Sequence, residues 1–94
     1  MSRAPKSYTY TFSLKAVEDY QYWEKNNPRV LIRIAKLIEG ILISPFEGIG
    51  KPKALGYDYT GSWSRRIDSA HRIIYFVEDE SVVILSMRGH YQDK

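Results

Sequence analysis

With 94 residues, 44% of them hydrophobic and 27% charged, the chain has room for one core and not two, and its composition excludes general disorder. It has no cysteine, which removes disulfides and thiolate metal sites and fits a reducing cytoplasm; no apolar run approaches the roughly 20 residues of a membrane span, and Met1–Lys6 lacks the apolar stretch of a secretion signal. Fourteen Lys and Arg against 11 Asp and Glu leave a net charge of +3, a mild excess equally compatible with a solvated basic surface and with a polyanion site.

Residues 1–7 read as a short extension ahead of the first element, and 92–94 as a short tail, of a single domain spanning 1–94. Tyr8, Tyr10, Phe12 and Leu14 alternate with polar residues, which predicts a strand. Ser13 offers a helix N-cap, and Leu14–Lys25 carries apolar residues at Val17, Tyr20 and Trp23. Asn27-Pro28 reads as the cap and first position of a second helix. In that helix Leu31, Ile34, Leu37, Ile38, Ile41 and Leu42 form one apolar stripe, and Ser44-Pro45 ends it. Residues 47–62, punctuated by Gly48, Gly50, Pro52, Gly56 and Gly61, read as a long loop of the kind that carries function. Trp63–Ile67, His71–Glu78 and Val82–Arg88 then read as three strands joined by tight turns. The order β-α-α-β-β-β predicts an α+β domain, a helical hairpin packed on a small twisted antiparallel sheet.

Five basic residues, Lys51, Lys53, Arg65, Arg66 and Arg72, fall in a segment opposed only by Asp58 and Asp68. Arg72 begins a strand that should be central, because both of its alternating faces are apolar. A charge placed there needs either a ligand or an ion pair with Glu47 or Asp68. Arg65 and Arg66 lie on opposite faces of their strand, as solvated edge charges or as a planar fork for phosphate. Of the two histidines, His71 sits where it could simply bond the backbone, while His90 stands beside Tyr91 past the last strand. Glu47 opens the glycine loop and reads equally as a plain surface carboxylate. Tyr57, Tyr59 and Trp63 could stack on bases or cover a small core. With two histidines, no cysteine and no clustered carboxylates, neither a metal site nor a cofactor is expected.

Read together, Asp19-Tyr20-x-Tyr22-Trp23, Pro45-Phe46-Glu47-Gly48-x-Gly50-Lys51-Pro52, Gly61-x-Trp63-Ser64-Arg65-Arg66-Ile67, His71-Arg72-x-x-Tyr75 and His90-Tyr91 resemble the Txe/YoeB toxins of the RelE/ParE superfamily. The resemblance runs in order from about Tyr10 to Tyr91. It implies a toxin of a type II toxin–antitoxin pair that cleaves mRNA in the A site of the 70S ribosome. It also implies an acidic YefM/Phd-like antitoxin as partner, and a homodimer. The residues it carries across are Glu47, Arg72, His90 and Tyr91 as the catalytic set, with Lys51, Arg65 and Arg66 as phosphate-binding cations. RNA brings its own 2′-OH nucleophile, so the chemistry needs a base, an acid and charge stabilisation. Glu47 would be the base and His90 the acid, although neighbouring arginines make a carboxylate a weak base and His90 suits either role. The chain departs from the pattern in Gly89, where an aromatic is frequent, and in the Gln92-Asp93-Lys94 tail. A ParE-like inhibitor of DNA gyrase, and an inactive RNA- or antitoxin-binding module, are the alternatives.

Overall fold

In the computed structural model of the chain, which describes residues 8–89, Ser13 joins the first strand to the first helix and ties both to the far end of the sequence. β1 (Thr9–Phe12) ends there, and α1 (Leu14–Asn26) begins with the Ser13 Oγ accepting the Ala16 N–H at 3.1 Å. The same hydroxyl donates to the Leu85 carbonyl at 2.8 Å. α2 (Arg29–Ile43) follows a short turn. It buries Ile34, Leu37, Ile38 and Ile41, the stripe expected from their spacing.

α1 is turned differently from the expectation. Its buried residues are Ala16, Asp19 and Trp23, whereas Val17 and Tyr20 remain exposed. The reason is polar. Asp19 and Trp23, four apart on one helix face, bond the backbone at Met87, and satisfying those buried groups sets the helix rotation.

The sheet has five strands in the order β1-β5-β4-β3-β2. A two-residue β2 (Lys53–Ala54) forms within the glycine-rich loop and pairs with β3 (Ser62–Arg66). β4 (Arg72–Glu78) is central, as its two apolar faces predict, and β5 (Ser81–Ser86) lies beside it. All pairs are antiparallel except β1 with β5, so the sheet is mixed. Two helices intervene between β1 and the later strands, and a crossover of that length is what lets β1 lie parallel to a neighbour. In β5 the register slips, with Ile74 facing Ser86 and Tyr75 facing Ile84, so that Leu85 is an extra residue.

The main core lies between the helices and one face of the sheet, with Ile73, Tyr75, Val82, Ile84 and Met87 against Trp23, Ile34, Leu37 and Ile41. The opposite face carries a small apolar cluster, Leu55 and Ile74 with Leu85 packed against them. Phe76 and Val83, half-buried and paired across β4 and β5, lie on that face too, and polar and basic residues cover the end of β3 and β4 nearest Arg72. Among the described residues, no helix is long and apolar enough to cross a membrane.

Candidate nucleic-acid interface

Strand alternation decides which basic residues meet. Arg66 and Arg72 are directly opposed across β3 and β4. They lie on the face away from the helices, since Ile73 and Tyr75, their alternating neighbours, belong to the main core. Like charges directly opposite each other on a sheet repel. Among the described residues neither guanidinium has a hydrogen-bond or ion-pair partner. Asp68, a sequence candidate for pairing with Arg72, instead accepts the Ala70 and His71 N–H groups at 2.8 and 2.7 Å in its own turn. Two opposed cations without counter-charges among the described residues are an arrangement that can hold an anion.

Lys53 joins them. In β2 it faces Ser64, whose β4 partner is Ile74, so its side chain is on the same open face. The sequence places Lys53 in a loop, and only pairing with β3 assigns it a face. A recess of about 300 Å³ continues the face, lined by Lys15, Tyr59, Ile74, Leu85, Ser86, Arg88 and Gly89. Gly89 adjoins Arg72 directly, its carbonyl taking the Arg72 N–H at 3.1 Å. A larger recess of about 340 Å³ lies between β1 and the helices, but among the described residues its only charged side chain is Glu39, which repels a phosphate.

Arg65 does not belong to this face, contrary to the expectation that it binds phosphate. It is fully buried on the helix side. Its Nε donates to the Tyr75 hydroxyl at 3.1 Å, one terminal nitrogen donates to the Ile49 carbonyl at 3.1 Å, and the other donates to the Ser44 and Glu47 carbonyls at 2.6 and 2.8 Å. Tyr75 in turn donates to the Pro45 carbonyl at 2.6 Å. The fork that would suit a phosphate is thus used up by the Pro45–Gly50 loop. Gly50 completes the joint. Its φ is +84°, and a Cβ there would stand 2.7 Å from Leu37 and 3.0 Å from Arg65.

Burial pushes the Tyr75 phenol above its ordinary value of 10.0, while the Arg65 hydrogen bond and charge pull the other way without cancelling it. As pH rises through 10.0 the unfolded chain releases this proton first, so folding stability is expected to fall. Denaturation midpoints between about pH 8 and about pH 11 check the sign, with a shallower decline expected for Tyr75→Phe.

Because Arg65 grips the Glu47 carbonyl from the helix side, the loop carrying Glu47 stands across the sheet from Arg66 and Arg72. Phe46 beside it packs on Trp63 with ring centroids 4.9 Å apart. The Glu47 carboxylate is exposed and has no ion pair among the described residues. Trp63 therefore covers core and is not on the open face, whereas Tyr59 lines the recess. Lys51, exposed and at φ +54°, follows Gly50 at the edge of β3, where the Gly50 carbonyl accepts the Arg66 N–H at 2.7 Å. His71 bonds the backbone, its Nδ1 accepting the Gly89 N–H at 2.9 Å. His90 and Tyr91 lie outside the described residues, and so do 1–7 and 92–94.

A helical hairpin on one face of a mixed five-stranded sheet is a fold this chain shares with solved YoeB toxins. A sequence model for the YoeB-like toxin of bacterial type II toxin-antitoxin systems matches residues 12–91, and the chain belongs to this family. Toxin YoeB of Streptomyces coelicolor is 44% identical over 81 residues, covering 86% of this chain and 96% of that protein. Two solved structures superpose closely. The YoeB dimer from Staphylococcus aureus gives a TM-score of 0.83 at 40% identity, covering 90% of this chain and 99% of the other. The YoeB–YefM complex from the same organism gives 0.81 at 41% identity, covering 89% and 98%. The chain is thus a toxin of a type II toxin–antitoxin system, within the RelE superfamily.

Proposed function

We propose that this toxin is a ribosome-dependent endoribonuclease that cuts mRNA in the A site by attack of the RNA's own 2′-OH. The observation that carries the reading is the Arg66–Arg72 pair, two opposed cations without partners among the described residues, beside Gly89, which precedes His90-Tyr91 in the chain. In the reaction a 2′-O–P bond forms and the P–O5′ bond breaks, leaving a cyclic phosphate and a free 5′-OH. Negative charge grows on the non-bridging oxygens in between, where preorganised cations act most strongly. Arg66 and Arg72 hold that charge, and Lys51 supports the strand on either side of it. His90 protonates the leaving 5′ oxygen, since imidazole titrates in the neutral range, and Tyr91 orients the phosphate or base.

Glu47 is the carboxylate assigned as base by the family pattern, yet its loop stands on the helix side of the sheet. Water takes the 2′-OH proton in its place, and charge stabilisation carries most of the rate. Glu47→Gln is accordingly expected to keep cleavage within about threefold of wild type; a loss of about a hundredfold would make Glu47 the base after all.

The same basic face suits an acidic antitoxin segment that folds on binding, in keeping with the YoeB–YefM complex of the S. aureus relative. The S. aureus dimer supports a homodimer here too, and the action is cytoplasmic, where ribosomes translate. Primer extension on a translated mRNA tests the reading. Discrete cuts are expected with wild type, none with His90→Ala, and none when ribosomes are omitted. Intact mRNA together with inhibited gyrase supercoiling would replace it with a ParE-like mode of action.

A further inference from the structure

The Asp19-Tyr20-x-Tyr22-Trp23 segment and His71 take no part in holding phosphate, yet both converge on one stretch of backbone. Alternate residues from Leu85 to Gly89 are tied down by side chains from elsewhere. Ser13 Oγ donates to the Leu85 carbonyl. Asp19 Oδ2 accepts the Met87 N–H at 2.9 Å, and Trp23 Nε1 donates to the Met87 carbonyl at 2.8 Å. His71 Nδ1 accepts the Gly89 N–H at 2.9 Å. Between these ties, the Arg88 guanidinium lies 3.8 Å from the centroid of the Tyr22 ring.

The ties are made at some cost. Asp19 is 1% exposed, and Lys15, its ion-pair partner at 2.7 Å, is more than half exposed. A carboxylate taken out of water to receive one N–H beyond the end of a strand is a costly way to finish a sheet, which an apolar residue would do as well. β5 ends at Ser86, and a chain leaving a sheet normally frays within a few residues. Here three more residues are held. Gly89, at φ +96°, has no described residue within 4 Å of where a Cβ would be, and two hydrogen bonds hold its backbone.

We infer that Asp19, Trp23 and His71 are positioning residues that fix the backbone of Met87–Gly89 beside Arg72, and that cleavage depends on this restraint. Trp23 serves twice, because its ring also meets His71 edge-on at 4.9 Å and holds the imidazole's orientation. The kinetic consequence rests on the cleavage reading given above; the restraint on the backbone does not.

Two measurements on the full chain separate these parts: amide hydrogen exchange at Met87 and Gly89, and cleavage kinetics on translated mRNA. In His71→Leu the Gly89 amide is expected to exchange about tenfold faster relative to the amides of β4. Its kcat is expected to fall about tenfold to a hundredfold, with KM within about twofold, because the arginines still hold the RNA. His71→Asn, which returns an acceptor near the δ position, restores most of both. Asp19→Asn keeps an acceptor for Met87 and stays near wild type, while Asp19→Ala loosens Met87 selectively. The inference is overturned if His71→Leu leaves Gly89 exchange unchanged, if its only effect is a lower melting temperature, or if His71→Asn rescues nothing. A wild type that cleaves no mRNA removes the cleavage reading instead, and exchange at Met87 and Gly89 then decides the restraint alone.

Discussion

Arg72→Ala is expected to lower mRNA cleavage by about 10²–10³-fold without weakening the fold. Most substitutions in a central strand destabilise, so the sign of the second effect is informative. In the folded protein Arg72 faces Arg66 across the β3–β4 pair, and neither has a counter-charge among the described residues. Removing one of two opposed cations relieves a repulsion of about 0.2–1 kcal/mol. The melting temperature should therefore stay level or rise by a few degrees. A charged group that costs stability and has no polar partner among the described residues is one whose partner arrives from outside. Arg66→Ala should behave alike, and each substitution should reduce the salt dependence of RNA binding by about 0.7 in slope, one phosphate contact on a single strand. Thermal melting, single-turnover cleavage and binding across a salt series read these effects separately. A strongly destabilised Arg72→Ala protein, or one that cleaves normally, would remove the pair from the reaction.

Arg65→Ala, one residue away, is expected to do the reverse and fail as a folded protein before it fails as an enzyme. The Arg65 side chain makes four hydrogen bonds, one to Tyr75 and three to carbonyls of Ser44, Glu47 and Ile49. Charge-assisted bonds of this kind are worth about 1.5–3 kcal/mol each in isolation, though the loop carbonyls regain water once freed, so the total falls well below their sum. A loss of about 3 kcal/mol or more is expected, which lowers the melting temperature of a domain this size by more than about 10 °C. Arg65→Lys should recover little, since one ammonium cannot span acceptors on Ser44, Ile49 and Tyr75 together. Chemical denaturation followed by circular dichroism measures it. Wild-type stability with lost cleavage would return Arg65 to the RNA.

These neighbouring arginines also mark where sequence reading stops. Alternation along Trp63–Ile67 assigns Arg65 and Arg66 to opposite faces, but which face is inward depends on what packs there. That is the end of α2 and the Pro45–Gly50 loop, segments distant in the chain. The stripe on α2, the Ser13 cap, the central position of β4 and the backbone role open to His71 follow from local spacing and hydrogen-bonding chemistry, and all appear in the fold. Glu47 and Lys53 do not follow in that way. Both sit in a glycine-rich stretch without periodicity, and only the grip of Arg65 on one and the pairing of β2 with β3 on the other assign them to opposite sides of the sheet.

The same limit explains α1 and β1. Apolar content pointed to Val17, Tyr20 and Trp23 on α1; Trp23 is buried, but its hydrogen bond and that of Asp19 to Met87 turn Val17 and Tyr20 outward. The parallel pairing of β1 with β5 joins residues about seventy apart, which no local pattern encodes. By itself, then, the sequence determined the element types, the α2 stripe and, through motif order, the family, because those depend on neighbours within a turn or a strand. The tertiary structure alone decided which cations share a face. Across a pleated sheet that choice rests on strand register and on buried polar groups finding partners far along the chain.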